Sequence, residues 1–100
     1  MTVRGLRSSK PYVLAVEGSL RWPDARELRE RVRTLLRRGD RHILLDLGRV
    51  SQIDAAGIGE LVRAYNMATA MDGSLRIVGA TGAVRAILER VGLFGLLSAE

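Results

Sequence analysis

The chain has 100 residues, 47% of them apolar and 27% charged, with a formal net charge of +5. That length holds one hydrophobic core and not two. The absence of cysteine excludes disulfides, thiolate metal sites and cysteine nucleophiles, and the single histidine, His42, excludes a histidine metal cluster.

No uninterrupted apolar segment approaches the roughly 20 residues that span a bilayer. Met1 to Lys10 is basic but has neither an apolar h-region nor a small-residue cleavage site. The expectation is one domain over residues 1–100, cytoplasmic and without membrane insertion. The charge is uneven: Met1 to Arg41 carries eleven basic and five acidic residues, His42 to Glu100 five and six. A basic half invites a nucleic-acid reading. Against it, Arg21 to Arg41 interleaves arginines with Asp24, Glu27, Glu30 and Asp40, as an ion-paired helix face does, and no zinc-finger, aromatic RNA-binding or helix-turn-helix pattern accompanies it. Specific nucleic-acid binding is not expected; a solvated helix or a patch for an acidic protein partner is.

In chain order, Val3 to Arg7 reads as a short strand, with Ser8 to Pro11 as a hairpin connection. Tyr12 to Glu17 is rich in β-formers and stops at Gly18. Asp24 to Arg38 places Leu28, Val32, Leu35 and Leu36 on one helical face; Asp24 and Glu27 have capping-box spacing, and Gly39 suits the C′ position. His42 to Leu47 is an apolar run broken only by Asp46, the pattern of a strand buried on both faces.

After a loop from Val50, Asp54 stands where an N-cap belongs. Ile58, Leu61, Val62 and Tyr65 then recur at helical intervals until Gly73 ends the helix. Leu75 to Val78 is a further strand. Thr81 is placed to cap a last helix whose Val84, Ile87, Leu88 and Val91 face the core, with Gly92 ending it. The apolar tail Leu93 to Leu97 should fold back on the domain as a short strand or turn. Strands alternating with helices predict an α/β fold, a mainly parallel sheet of about four to five strands packed against helices by right-handed crossovers. In such folds the loops at the C-terminal ends of strands carry function, and Val50 to Gly57 is one of them.

Little points to catalysis. No Gly-x-Ser-x-Gly elbow is present, the Gly79 to Gly82 region lacks the lysine of a phosphate-binding loop, and His42 leads into a strand where a structural or surface role suffices. No catalytic residue, metal site or cofactor is expected. Ile53-Asp54-Ala55-Ala56-Gly57-Ile58-Gly59 has a plain reading as a capped helix start, with alanines in the first turn and glycines that permit close approach to a strand. Tyr65 falls on the apolar helical face and belongs to the core, whereas Trp22, next to the expected cap, is the better exposed anchor.

Three landmarks carry a family resemblance: Val16-Glu17-Gly18-Ser19-Leu20, Leu44-Leu45-Asp46-Leu47 through Ile58, and Val91-Gly92-Leu93-Phe94. In order and spacing the chain resembles STAS domains, the bacterial anti-sigma factor antagonists, from about Pro11 to Leu97. The resemblance implies a non-enzymatic regulatory module that binds an anti-sigma factor of the serine-kinase type or a related signalling protein. The partner surface it implies comprises Arg21, Trp22, Asp54, Ala55, Ala56, Gly57 and Ile58. In relatives the loop reads Asp-Ser-Ser-Gly or Asp-Ser-Thr-Gly and its second hydroxyl residue is phosphorylated; here that position is Ala56, which has no acceptor oxygen. Relatives also commonly carry an acid where Arg21 stands. An alternative implied role is that of a STAS subunit bound to a transporter ATPase or a signalling scaffold, which needs no phosphoryl switch. Homodimerisation is left open.

Overall fold

The structure, a computed structural model, describes residues 1–6 and 11–99. Thr2–Leu6 (β1) and Tyr12–Leu20 (β2) form an antiparallel pair; of the expected Ser8 to Pro11 connection, all but Pro11 lies outside the described residues. Arg26–Arg37 (α1) leads to His42–Ile53 (β3), then Ala55–Ala70 (α2), Ser74–Val78 (β4), Gly82–Arg90 (α3) and the single turn Phe94–Leu97 (α4). The strands lie in chain order, β1-β2-β3-β4, with β2, β3 and β4 parallel.

That order explains the layering. Two successive right-handed crossovers stepping the same way across a sheet deliver both helices to the same face, and α1 and α2 pack against each other. The sheet is therefore one-sided, which corrects the expectation for β3. Ile43, Leu45 and Leu47 are buried, while Leu44 and Asp46 between them are only half-buried. The core lies between the buried sheet face and the helices and includes Leu14, Leu28, Val32, Leu61, Leu75, Ile77 and Leu88. Full burial of one such leucine stabilises by about 1.5–3 kcal/mol, more than an exposed ion pair at about 0.2–1 kcal/mol. The core, not the arginine-rich surface, fixes the fold.

Two strands run further than their sequence suggests. β2 continues through Gly18, whose φ of +91° accompanies a shift of register against β3, so this glycine bends the strand without ending it. β3 likewise passes Gly48 and reaches Ile53. The expected loop from Val50 is thus strand, and Asp54 alone separates β3 from α2.

Helix ends differ in instructive ways. Gly39 closes α1 as expected: it has φ +97°, its N–H donates to Leu36 O, and Asp40 N–H donates to Leu35 O, a Schellman motif. At the end of α2 the left-handed residue is Asp72, φ +59°, and not Gly73. Gly73 is needed for a different reason, since a Cβ there would overlap the Arg41 carbonyl oxygen. On α2 the buried stripe is Gly57, Glu60, Leu61, Ala64 and Ala68, with Ile58, Val62 and Tyr65 only half-buried; on α3, Val84 and Leu88 are buried but Val91 is exposed. Thr81 occupies the N-cap position of α3 without a side-chain hydrogen bond.

The tail folds back as α4. Leu97 is buried, Ala99 N–H donates to Ile77 O, and Ser98 bridges Ile77 on the outer edge of β4. At the opposite edge, Arg31 of α1 donates to the Val3 carbonyl of β1 at 3.1 Å. His42 is exposed, with Nδ1 2.9 Å from Ser74 Oγ.

Candidate functional site at the β3–α2 junction

Asp54 organises the junction. Its backbone is extended (φ −115°, ψ −176°), the conformation in which a side chain can reach forward to a helix N-terminus. Oδ1 accepts from Gly57 N–H at 2.8 Å and Oδ2 from Trp22 N–H at 3.1 Å. One carboxylate therefore caps α2 and holds the segment that leaves β2. The Gly57 N–H holds the Asp54 carboxyl below its ordinary range, against an opposing effect of burial, helped by the Trp22 and Ala56 N–H groups and the charge of Arg21.

Gly57 makes this approach feasible. It is buried, and a Cβ on it would overlap the Leu20 carbonyl oxygen and crowd Ile53 Cγ1. Gly59 is different, because a Cβ there would meet only the end of the Arg63 side chain. Of the expected close approaches of glycine to a strand, the one at Gly57 exists and the one at Gly59 does not.

Around this clamp the seven sequence-predicted residues separate. Arg21 and Ala55 are exposed, Trp22 is 77% exposed on a cis Trp22–Pro23 peptide, Ala56 is half-buried, and Ile58 turns inward to pack on the core. Trp22 and Ala56 line a common cleft of about 810 Å³ between the starts of α1 and α2, together with Arg26, Arg29, Glu60 and Arg63. Arg21 lies on the other side of the junction, in a smaller groove.

Sequence reasoning missed Glu60, the buried charged residue of the core-facing stripe. It follows Ala56 by one helical turn. Oε1 accepts from Arg63 at 2.8 Å, and Oε2 lies 3.4 Å from Arg29 Nε of α1. That second contact is an ion pair without hydrogen-bond geometry, since neither atom has a hydrogen-bond partner. The arrangement couples α1 to α2 beneath the cleft, and removing one charge from a buried pair of this kind is strongly destabilising. The i, i+3 spacing of Glu60 and Arg63 was visible in the sequence; the reach to Arg29 was not.

The expected ion-paired helix face is present in part. Arg33 pairs with Glu30 at 3.0 Å and Arg38 with Asp40 at 3.1 Å, while Asp24 and Glu27 make no ion pair among the described residues. No group of three metal-ligating side chains comes together, and no helix is long and apolar enough to cross a membrane, both among the described residues. Ser51, the nearest hydroxyl before Asp54, is exposed and its Oγ donates to Gly18 O at 3.3 Å.

Comparison with known proteins agrees with the fold. An anti-sigma factor antagonist from Mycobacterium paratuberculosis superposes with a TM-score of 0.84 at 18% identity, covering 96% of this chain and 81% of that one. The phosphorylated form of SpoIIAA, a Bacillus cell fate determinant, gives 0.75 at 18% identity, covering 97% and 88%. The unphosphorylated form of SpoIIAA, an anti-sigma factor antagonist, gives 0.73 at 18% identity, covering 94% and 84%. The family described as "Mlab, STAS domain" matches residues 6–98, nearly the whole chain, and the protein therefore belongs to the STAS domain family.

Proposed function

We propose that this chain is a non-enzymatic regulatory binding module of the anti-sigma factor antagonist type. On this reading it docks a kinase-type anti-sigma factor or related signalling protein over the β3–α2 junction, through Arg21, Trp22, Asp54, Ala55, Ala56 and Gly57. The observation that carries the proposal is the joint exposure of Trp22 and Ala56 in one cleft, with Asp54 bonding the backbones of both flanking segments. A rigid aromatic at the rim of a pre-formed cleft is a favourable anchor for a protein partner. SpoIIAA is known in phosphorylated and unphosphorylated forms; on the family resemblance the acceptor hydroxyl would fall at position 56, and Ala56 has none to phosphorylate. Ile58, half-buried and packed against the core, forms the inner margin of that surface.

The test is capture of partners on the immobilised chain, identification by mass spectrometry, and titration of the purified partner against the wild type and Ala56→Asp. A carboxylate at position 56 adds charge beside Asp54 and one turn before Glu60. Affinity should fall about tenfold or more, near 1.4 kcal/mol, with the circular dichroism spectrum unchanged. Unchanged affinity would place the interface elsewhere. Capture of a transporter ATPase instead of a signalling protein would favour the alternative role on the same surface, since that role requires no hydroxyl at position 56.

A further inference from the structure

The junction is flanked by two depressions of different chemistry. In the larger, Arg29 and Arg63 are matched to Glu60, Glu30 is matched to Arg33, and Asp24, Glu27 and Arg26 share the lining. The lining of that cleft carries charges of both signs, four acids and three arginines. The smaller groove, of about 310 Å³, runs between the end of β3 and the first turns of α3. Its floor is Ile53, Val84 and the half-buried Ile87; Ser51, Gln52 and Ala83 form its sides, and among the described residues Arg21 is the one charged residue in its lining. The Arg21 guanidinium is exposed and makes no hydrogen bond or ion pair among the described residues. Asp54 is near enough for its charge to be felt, but both of its oxygens are taken by the N–H groups of Trp22 and Gly57.

An uncommitted cation at the mouth of an apolar groove selects its occupant. A basic segment would meet repulsion, a neutral one would leave the guanidinium without a counter-charge, and an acidic one without an apolar side chain would leave the floor wet. We propose that this groove seats an acidic, apolar segment of the partner protein, with an aliphatic side chain on Ile53, Val84 and Ile87 and a neighbouring carboxylate paired to Arg21. The proposal rests on the docking surface above and adds the partner's chemistry: a protein covering Asp54 to Gly57 meets both depressions, and its acid lies on the α3 side.

The test uses the purified captured partner and four variants of the full chain: Arg21→Glu, Arg21→Lys, Ala83→Glu and Ala56→Asp. Ala83 is exposed in the first turn of α3, where an acid is compatible with the helix, so Ala83→Glu introduces repulsion without touching Arg21 or Asp54. Arg21→Glu and Ala83→Glu should each weaken binding about tenfold or more at low salt, and the loss should shrink as salt rises. Arg21→Lys should retain most of the affinity, and melting temperatures should show that each variant is folded. If Ala56→Asp weakens binding while Arg21→Glu and Ala83→Glu do not, the acidic occupant is wrong and the docking surface stands. Tighter binding by Arg21→Glu would overturn the proposal in favour of a basic partner, and indifference of all the acidic variants would overturn it together with the docking surface.

Discussion

Two helices begin side by side at the candidate site, α1 at Arg26 and α2 at Ala55, each with an aspartate just before it, and only Asp54 caps. The residue preceding α2 is extended, so its side chain points forward onto the Gly57 N–H. The residue preceding α1 is Ala25, already helical at φ −56° and ψ −28°, and the chain enters through a turn in which Ala25 N–H donates to Arg21 O and Glu27 N–H to Asp24 O. Asp24 is carried past the cap position, and its side chain makes no cap. Capping is thus decided by the backbone that enters the helix as much as by residue type. The α2 start is held by a side-chain cap that also bonds the segment leaving β2, and the α1 start by backbone turn hydrogen bonds alone.

The sharpest way to break this contrast is Gly57→Ala. A methyl group directed at the Leu20 carbonyl cannot be absorbed by a rotamer change, so the helix or the strand must move. We expect destabilisation of about 3 kcal/mol, or a melting temperature about 15 °C lower by circular dichroism. A change below about 3 °C would mean that the junction is not held at close contact.

Asp54→Ala should have the next largest effect, lowering the melting temperature by about 5 °C. Its pH dependence has a definite sign. A carboxyl held below its ordinary range in the fold stabilises above the unfolded-state value, and this contribution is lost as pH falls through the depressed folded value. The gap between wild type and variant should therefore narrow on acidification. An equal gap at neutral and strongly acidic pH would show that packing, not the charged cap, is responsible.

Asp24→Ala should have the smallest effect, within about 2 °C, because its side chain makes neither a cap nor an ion pair among the described residues. A drop matching that of Asp54→Ala would erase the distinction between the two helix starts.

Most of the fold was legible because apolar periodicity reports which face is buried. Leu28, Val32, Leu35 and Leu36 define α1 without help, and the alternation of strands and helices gives the parallel sheet. What periodicity does not report is where a strand bends and continues. Gly18 looks like a stop and the apolar run of β3 ends at Leu47, and only pairing with a neighbour shows that both strands continue. The same limit hid the one-sided burial of β3, which follows from strand order, and the exposure of Val91 at the end of α3. At the site, the cap at Asp54 and the exposure of Trp22 were legible. The contact of Glu60 with Arg29 depends on how two helices lie together, which no local pattern encodes.

The two ends of the sheet have a consequence of their own. An open strand edge is a template on which another chain can continue the hydrogen-bond ladder, and proteins with long free edges polymerise. Here Arg31 occupies a carbonyl of β1 on one side, while Ser98 and Ala99 engage β4 on the other. Growth of the sheet is obstructed at both margins by groups that belong to the same chain. Each margin of the sheet thus already has hydrogen-bonding groups engaged within the chain, which makes it a poorer template for a further strand.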